Sequence, residues 1–593
     1  MTPTSAQDKK ELVLTGVAAS PGIAMGTAYL FAKETPRVEE RSLASDGEIV
    51  TEDERLDRAV QKSIKELTKI LAFARQKVGD AKARILEAQI MVLEDPVLLS
   101  TMHKRIKKER KNAEYIVSEE IGKYARLMLA AHDEYMHERA HDVDDLKNRI
   151  IRNLQQEKLT SKFDGSMIVI AHTLTPADTM VLSRNHVLGY VTDMGGVTSH
   201  AALFARSLKI PAIVGLGDAT RAIQSGDHLI IDGYAGKLIV HPTPERLAEY
   251  ESKRQRFAAY DEELSHLKDL PAETADGHPI ELSANIELSE ELEYVVIQGS
   301  QGVGLYRTES LLIGRDDFPS EDEQYDEYKR VVDRIYPHRV IMRTFDVGGD
   351  KLAPETAEEA NPFLGWRGIR VSLDRPELFL CQLRAMLRAS SRKNLAIMFP
   401  MVSTVSELKR AKAYLKQAKA ELKAKRVKFD DHLEVGVMIE VPAAALNAGA
   451  LAAEVDFLSI GSNDLIQYLL AVDRGNSLVA RIYDEFDPAV LATIKHVINA
   501  GQKQNAWVGI CGEMGGHPLA APLLLGMGIN ELSVVPAVLP EIKKIVRSVR
   551  YADMRKVVRD VMALETGDEV RAYLRKVIKK SCPDIPLDDV AHG

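Results

Sequence analysis

The second half of the chain repeats one pattern eight times: a short apolar run, then a longer segment with apolar residues at helical spacing. One run, Val435-Gly436-Val437-Met438-Ile439, has no polar alternation and therefore suits a strand buried on both faces. Eight such β/α units predict a (β/α)₈ barrel. A doubly wound open sheet is the structural alternative. The eight strands are expected at 280–286, 302–307, 340–345, 395–400, 434–440, 457–461, 507–511 and 531–535.

The 593 residues are too many for one core, so further domains are expected before the barrel. Short strands between Leu12 and Phe31 give way to helical spacing from about Asp46 to Gln155. Strand patterns then return at 166–171, 187–193, 212–215 and 228–232. The simplest interpretation is an α/β domain interrupted by a helical bundle. The predicted boundaries are 1–36 and 157–243 for the α/β domain, 37–156 for the bundle, 244–270 for a solvent-exposed linker helix and 271–593 for the barrel.

Composition excludes several classes of protein. The charge of 78 − 87 = −9 leaves no general basic surface for nucleic acid. Cys381, Cys511 and Cys582 are far apart without metal-ligand spacing, which fits a reducing compartment without disulfides. The amino terminus has no apolar leader and no run reaches membrane-spanning length. We therefore expect a cytoplasmic protein.

One histidine in the first half has an unusual setting. His200 follows Gly195-Gly196-Val197-Thr198-Ser199 at the start of a helix predicted over 201–208. Backbone N–H groups at a helix start, with hydroxyls beside them, favour a phosphate. A neutral imidazole there could attack phosphorus and hold a phosphoryl group. The alternative, the commoner fate of a histidine, is that His200 caps the helix or lies in a polar core.

Polar residues also cluster where the predicted barrel strands end, the face on which barrel active sites form. Glu440 and Asp464 offer hard oxygen ligands for Mg²⁺. They could instead be a solvated carboxylate and a helix N-cap. Arg307, Arg343 and Arg474 offer guanidinium forks for phosphate and carboxylate oxygens, although surface ion pairing is the commoner fate of a single arginine.

Cys511 follows the seventh predicted strand and is a candidate acid–base group. Its alternative is a small buried apolar residue. A Mg²⁺ ion with several arginines indicates a small substrate that carries both phosphate and carboxylate.

These motifs resemble a known family over nearly the whole chain. GGVTSHAALFARSLKIPAIVG is similar to the phosphohistidine signature of enzymes that use phosphoenolpyruvate (PEP), and GVMIEVPAA, FLSIGSNDLIQY, DRGN and CGEMGG are similar to their PEP-binding barrel signature. GVAASPGIAMGTA, ILEAQIMVLEDP, and RTFDVGGDK with NPFLGWRGIR resemble the Enzyme I family of the bacterial PEP:sugar phosphotransferase system.

The resemblance implies a discontinuous phosphohistidine domain, a helical subdomain that docks an HPr-like phosphocarrier protein, and a barrel that binds PEP and forms a homodimer. It implies transfer of the phosphoryl group from PEP to a histidine of the enzyme and then to a histidine of HPr, with release of pyruvate. It assigns these roles: nucleophile for His200, proton donor to the enolate for Cys511, PEP binding for Arg307, Arg343 and Arg474, phosphate contact for Asn463, and Mg²⁺ ligation for Glu440 and Asp464.

Val197 and Gln89 depart from the family pattern, which usually has a basic residue at the first position and a histidine at the second.

Three other functions stay open on the residues alone. A PEP synthase or pyruvate phosphate dikinase shares both signatures but needs a nucleotide-binding domain, and no glycine-rich phosphate loop precedes the histidine motif. A regulatory binder would not need the intact catalytic set. A metal-dependent carbon–carbon lyase would leave the histidine domain without a purpose.

The first strand begins close to the amino terminus. The nitrogen-related branch of the family usually carries an extra sensor domain before that strand. We therefore expect this chain to belong to the sugar-type branch.

Overall fold

The computed structural model describes residues 10–31, 38–78, 80–129, 134–155, 166–175, 187–196, 200–208, 210–312, 317–348, 361–474 and 478–585, with a few isolated positions between and after these ranges. These residues form two compact units, one ending at Ala259 and one running from Tyr260 to Leu587. Within the described ranges, every helix is too short or too polar to cross a membrane.

The first unit contains an eight-stranded mixed sheet with the order β1-β8-β7-β3-β4-β5-β6-β2. Its strands are β1 (Leu12–Thr15), β2 (Val17–Ser20), β3 (Ile23–Phe31), β4 (Met167–Ala171), β5 (Val187–Thr192), β6 (Ala212–Val214), β7 (His228–Asp232) and β8 (Lys237–Val240). The sequence analysis missed β8. Its four residues pair with β7 across a tight turn, from Asp232↔Lys237 to Leu229↔Val240, so the two strands together look like one interrupted apolar run.

The predicted discontinuity of this domain is confirmed. Strands β3 and β4 are parallel neighbours, paired from Thr27↔Met167 to Phe31↔Ala171, and a helical bundle occupies the chain between them. The core of this bundle contains fully buried leucine and isoleucine side chains from several of its helices. The helices are α1 (Asp46–Val78), α2 (Asp80–Glu94), α3 (Pro96–Glu109), α4 (Ala113–Leu129) and α5 (Glu134–Gln155).

Two short helices follow within the sheet domain: α6 (His200–Leu208) and α7 (Ala219–Ala222). Helix α6 begins at His200 itself, one residue before the predicted start. Ala202 and Ala205 belong to the apolar cluster on the sheet, whereas Phe204 belongs to the core of the helical bundle. Helix α6 is therefore packed between the sheet and the bundle.

The predicted linker helix is α8 (Pro244–Leu267), but one of its faces is not exposed to solvent. Tyr250 and Phe257 are buried against apolar residues of the sheet. The Nζ atom of Lys253 lies 2.7 Å from Oδ2 of Asp232. Tyr250 and Phe257 are seven residues apart and share a helix face, a spacing that the high charge of the segment obscured.

The second unit is a closed barrel of eight parallel strands, in the order β9 to β16 and back to β9. This confirms the predicted barrel and excludes the open sheet. Every predicted strand is present, with ends within two residues of those expected. The strands are β9 (Glu281–Ile286), β10 (Gly302–Arg307), β11 (Arg339–Arg343), β12 (Leu395–Phe399), β13 (Val435–Ile439), β14 (Phe457–Ile460), β15 (Trp507–Ile510) and β16 (Glu531–Val534).

Large side chains fill part of the barrel interior because a glycine makes room for them. The rings of Phe457 and Trp507 stack with centroids 4.4 Å apart and planes 10° apart. A Cβ atom on Gly436 would lie 2.3 Å from the Phe457 ring. Such a contact is impossible without moving the ring.

The remaining helices of the second unit accompany the barrel. They are α9 (Leu292–Ile297), α10 (Glu321–Ile335), α11 (Ile369–Asp374), α12 (Pro376–Ala389), α13 (Val405–Ala424), α14 (Pro442–Leu446), α15 (Ala448–Ala452), α16 (Ser462–Leu470), α17 (Pro488–Lys503), α18 (Ala520–Met527), α19 (Leu539–Ser548), α20 (Tyr551–Val561) and α21 (Gly567–Ser581).

Candidate active site

The carboxyl ends of the barrel strands bring several predicted polar residues to one rim. Arg307 ends β10 and Arg343 ends β11, and the two residues are paired neighbours. Glu440 directly follows β13, and Cys511 directly follows β15. Since the strands are all parallel, these ends lie on the rim where barrel enzymes build their active sites.

Three carboxylates meet at this rim. Asp346, Glu440 and Asp464 each offer an oxygen atom, and these atoms lie within 4.8 Å of one another; this is the one such cluster in the described part of the chain. Glu440 and Asp464 are the two predicted ligands, whereas the sequence analysis gave Asp346 no role. A donor set of carboxylate oxygens fits Mg²⁺, which prefers hard oxygen ligands.

Glu440 lies deepest of the three, with 2 % of its surface exposed. Its Oε1 atom accepts a hydrogen bond of 2.5 Å from the backbone N–H of Met401. Burial, followed by the negative charges of Asp346 and Asp464, raises the pKa of Glu440 to about 8. A cation between the carboxylates would remove this cost of ionisation.

Arg343 crosses the rim between two carboxylates. Its Nη2 atom lies 3.1 Å from Oε1 of Glu309, and its Nη1 atom lies 3.1 Å from Oδ2 of Asp346. Oε1 of Glu309 also accepts a 2.7 Å hydrogen bond from the backbone N–H of Asp346. Burial alone would lower the pKa of Arg343, but Glu309 and Asp346 outweigh it, so the pKa of Arg343 is raised and the guanidinium stays charged.

Arg367 is a second partly buried arginine at the rim, and the sequence analysis missed its place in the site. Its Nε and Nη2 atoms donate to the two oxygens of Asp346 at 3.1 and 2.8 Å. Its Nη2 atom also lies 3.1 Å from Oδ2 of Asp464. An isolated bridge to Gly348 brings Arg367 to the rim. Because Arg367 follows no strand, its spacing in the sequence carried no signal.

The remaining predicted rim residues are more exposed. The Arg307 side chain is 40 % exposed and pairs with Glu287, whereas the Arg343 side chain is 11 % exposed. Asn463 and Glu513 exchange two hydrogen bonds of 2.9 Å, from Asn463 Nδ2 to Glu513 Oε1 and from Glu513 N–H to Asn463 Oδ1. Nη1 of Arg474 lies 3.8 Å from Oε1 of Glu513. Arg307 and Arg474 therefore leave guanidinium surface open to a ligand.

Cys511 is buried, with 3 % of its surface exposed. Its thiol lies 3.7 Å from the carbonyl oxygen of Ile460 and can donate to it. Burial raises the pKa of Cys511 to about 11, so the sulfur keeps its proton at neutral pH. Asn285, on strand β9, donates a 2.9 Å hydrogen bond to the Cys511 carbonyl and fixes this residue from across β16. Such a thiol can give a proton but is a poor nucleophile.

The candidate nucleophile belongs to the first unit. Val197, Thr198 and Ser199 lie outside the described residues, as does the His200 side chain, so the geometry of the predicted phosphate site lies outside them too. Gly195 has a φ of +112°, a conformation that favours glycine.

The loop before this turn is anchored at Asp193. Its Oδ1 atom accepts a 3.0 Å hydrogen bond from the Thr220 N–H, and its Oδ2 atom accepts one from the Thr220 hydroxyl. Nδ1 of His172 lies 3.2 Å from the same Oδ2 atom. Asp193 is itself buried. The chain is thus held firmly up to the glycine turn that precedes His200.

Comparison with known proteins identifies the family of both units. Three family models match: PEP-utilising enzyme, N-terminal, over residues 15–139; PEP-utilising enzyme, mobile domain, over residues 163–236; and PEP-utilising enzyme, PEP-binding domain, over residues 261–551. Proteins named phosphoenolpyruvate-protein phosphotransferase are similar over nearly their whole length. The protein from Staphylococcus carnosus is 41 % identical over 96 % of this chain and 99 % of its own. The protein from Geobacillus stearothermophilus is 42 % identical over 96 % and 98 %, and that from Bacillus subtilis is 41 % identical over 95 % and 100 %.

Proposed function

The chain belongs to the family of PEP-utilising enzymes, and from this membership we propose how its own residues carry out the reaction. It acts as a phosphoenolpyruvate-protein phosphotransferase, the enzyme that begins the sugar phosphotransferase system. The phosphoryl group of PEP passes to a histidine of the enzyme, which we assign to His200, and pyruvate is released. The observation that carries the residue assignment is the joining of three carboxylates, partly buried arginines and a protonated thiol on one rim.

The arginines bind the substrate. PEP carries a phosphate and a carboxylate, and guanidinium groups recognise both through paired N–H donors. Arg307 and Arg474 are the more exposed guanidinium groups and receive the incoming anion. Arg343 is held between Glu309 and Asp346 and supplies fixed positive charge at the base of the rim. Asn463 presents an amide beside Glu513 and contacts the phosphate.

Asp346, Glu440 and Asp464 would hold Mg²⁺. When bound, the ion would neutralise phosphate charge and so favour transfer of the phosphoryl group. Glu440 and Asp464 follow from the family resemblance, and Asp346 is added because its carboxylate meets theirs.

The imidazole of His200 attacks phosphorus. The N–P bond forms as the bond between phosphorus and the enol oxygen of PEP breaks, which leaves pyruvate enolate. The enolate carbon takes the proton of the Cys511 thiol, and water later returns a proton to sulfur. The raised pKa of Cys511 supports this role, because a proton donor must carry its proton when the enolate forms.

The phosphoryl group then moves from His200 to a histidine of an HPr-like phosphocarrier protein. The helical bundle is our candidate for the docking surface of this partner, because helix α6 packs against the bundle at Phe204. We place the reaction in the cytoplasm and assign dimerisation to the barrel. The free thiols of Cys381, Cys511 and Cys582 support a reducing compartment.

The test is incubation with ³²P-labelled PEP and Mg²⁺ without nucleotide. We expect label on the wild-type enzyme that is stable in base, labile in acid, and transferable to added HPr. His200→Ala should take no label. His228→Ala is the matched control, because His228 is an exposed histidine at the start of β7 in the same sheet.

Three results would count against the proposal. Label on His200→Ala would place the acceptor elsewhere. Label that appears only with ATP would favour a dikinase. A wild-type enzyme that takes no label under either condition would favour a regulatory binder.

A further inference from the structure

Building on the proposed function, we propose that Gln382 is a positioning residue for the PEP half-reaction. Gln382 lies on helix α12, outside the barrel, and is 1 % exposed. Its side-chain amide connects the ends of β10 and β11, the two strands that present Arg307 and Arg343. It does not touch the substrate-binding groups themselves and acts through the backbone and the hydroxyl that it holds.

All hydrogen-bonding groups of this amide are used except one acceptor site. Oε1 of Gln382 accepts a 3.1 Å hydrogen bond from the backbone N–H of Phe345. Nε2 donates to Oγ1 of Thr308 at 3.1 Å and to the hydroxyl of Tyr328 at 3.1 Å. Thr308 and Tyr328 are completely buried, so water does not compete for these bonds.

The direction of each bond follows from the amide. Because both Nε2 hydrogens are donated, the hydroxyls of Thr308 and Tyr328 must give their own protons elsewhere. Thr308 donates to the carbonyl oxygen of Arg343 at 2.9 Å, and Tyr328 donates to Oε1 of Gln324 at 3.2 Å. The hydrogen bonds of this network therefore have one consistent set of donors and acceptors, and the Gln382 amide determines it.

This network fixes catalytic groups on both sides. Arg307 and Arg343 are paired in the sheet, and the Thr308 bond to the Arg343 carbonyl continues that pairing one residue further. The Phe345 N–H bond holds the backbone immediately before Asp346, the carboxylate that pairs with Arg343. Gln382 thus sets the position of two arginines and one proposed metal ligand relative to one another. A shift of about 1 Å in such groups lowers a rate by as much as about 100-fold.

The experiment compares Gln382→Met with Gln324→Met. Both replace a buried glutamine of this network by an apolar side chain of similar length, but Gln324 contacts Tyr328 and the Pro319 carbonyl rather than a strand end. Single-turnover labelling by ³²P-PEP measures the half-reaction at the barrel rim. Transfer of label from the phosphorylated enzyme to HPr measures the half-reaction that does not use the rim.

We expect Gln382→Met to slow labelling by PEP about 10- to 100-fold while transfer to HPr changes less than about 2-fold. Gln324→Met should leave both rates within about 3-fold of wild type. A merely structural role would instead lower the fraction of enzyme that becomes labelled, through loss of folded barrel, and would leave the rate constant of labelling unchanged. Equal effects of the two variants, or an unchanged labelling rate in Gln382→Met, would overturn the proposal.

A second variant keeps the test open if Gln382→Met does not fold. Thr308→Val removes the hydroxyl that joins Gln382 to the Arg343 carbonyl and keeps the side-chain shape. We expect it to slow labelling by PEP at least about 5-fold with normal transfer to HPr, and wild-type labelling would overturn the proposal. A wild-type enzyme that takes no label from PEP overturns the proposed function and this inference together; a labelled wild type with unaffected variants overturns this inference alone.

Discussion

Replacing Asp346 by asparagine tests the part of the site that only the structure brought to light. The substitution keeps the shape of the side chain and removes its charge. Asp346 is 3 % exposed at its side chain and accepts from both Arg343 and Arg367. An asparagine amide would retain one acceptor oxygen but turn an N–H₂ donor toward a guanidinium that already has only donors.

Two consequences follow for stability. Removing one partner of a buried ion pair costs about 3–5 kcal/mol. Arg343 keeps Glu309 and Arg367 keeps Asp464, so the expected cost is at the lower end, about 3 kcal/mol. Less repulsion at Glu440, whose pKa Asp346 raises, offsets part of that cost.

The larger effect is expected on the reaction. Loss of groups that merely support a metal ligand costs about 10- to 100-fold in affinity or activity, so loss of a ligand should cost at least about 100-fold in labelling by PEP. Binding of Mn²⁺ without PEP, followed by electron paramagnetic resonance, should weaken in parallel. Asp430→Asn is the matched control, because Asp430 is also buried but binds the backbone N–H of His432 and, within the described ranges, no arginine.

Two results would refute this reasoning. If Asp346→Asn is labelled at the wild-type rate and binds Mn²⁺ normally, the carboxylate is not a ligand. If Asp430→Asn loses activity to the same extent, the effect belongs to the fold of the barrel and not to the rim.

Three further predictions concern other parts of the barrel. Burial raises the pKa of Glu531 to about 8, so between pH 4.5 and 8 the folded protein keeps a proton that the unfolded chain releases, and the free energy of unfolding falls as pH rises through this range. Glutamine at this position has no such proton to lose, so the unfolding temperature of Glu531→Gln relative to wild type should rise from pH 5 to 8. A difference in unfolding temperature that does not change with pH would contradict this. Cys511→Ala should slow formation of pyruvate from PEP about 100-fold or more without changing transfer to HPr, and pyruvate formation at the wild-type rate would exclude the thiol as proton donor. Gly436→Ala should lower the free energy of unfolding by about 1–3 kcal/mol because its Cβ atom meets the Phe457 ring, and additional Phe457→Leu should restore part of the loss; denaturant titration measures both.

The barrel was predictable because parallel strands buried on both faces leave continuous apolar runs in the sequence. The polar residues directly after those runs, such as Glu440 and Cys511, could be placed on one rim for the same reason. Strand β8 escaped because it is four residues long and pairs across a tight turn. The buried face of α8 escaped because its charged residues dominate the helix and only a few aromatic side chains pack on the sheet.

The missing members of the site escaped for a different reason. Arg367 reaches the rim through an isolated bridge to Gly348, and Gln382 reaches the strand ends from the middle of a surrounding helix. Neither position is marked by strand spacing, and although Arg367 lies within the motif NPFLGWRGIR, that motif gave it no place in the site. Their roles depend on tertiary contacts, which a pattern of apolar periods does not encode. The role of His200 still rests on its motif and on the family.

The helical bundle between β3 and β4 can change without a change in the sheet that it interrupts. Parallel neighbours always need a crossover, and the bundle fills that place, since the chain leaves at Phe31 and returns at Met167. These two points lie about 13 Å apart along the strands, from a rise of about 3.3 Å per residue over four residues. A crossover of about a dozen residues or more can span this gap. The size and surface of the bundle can therefore change, and with them the surface offered to another protein, while the sheet beneath the histidine helix keeps its register.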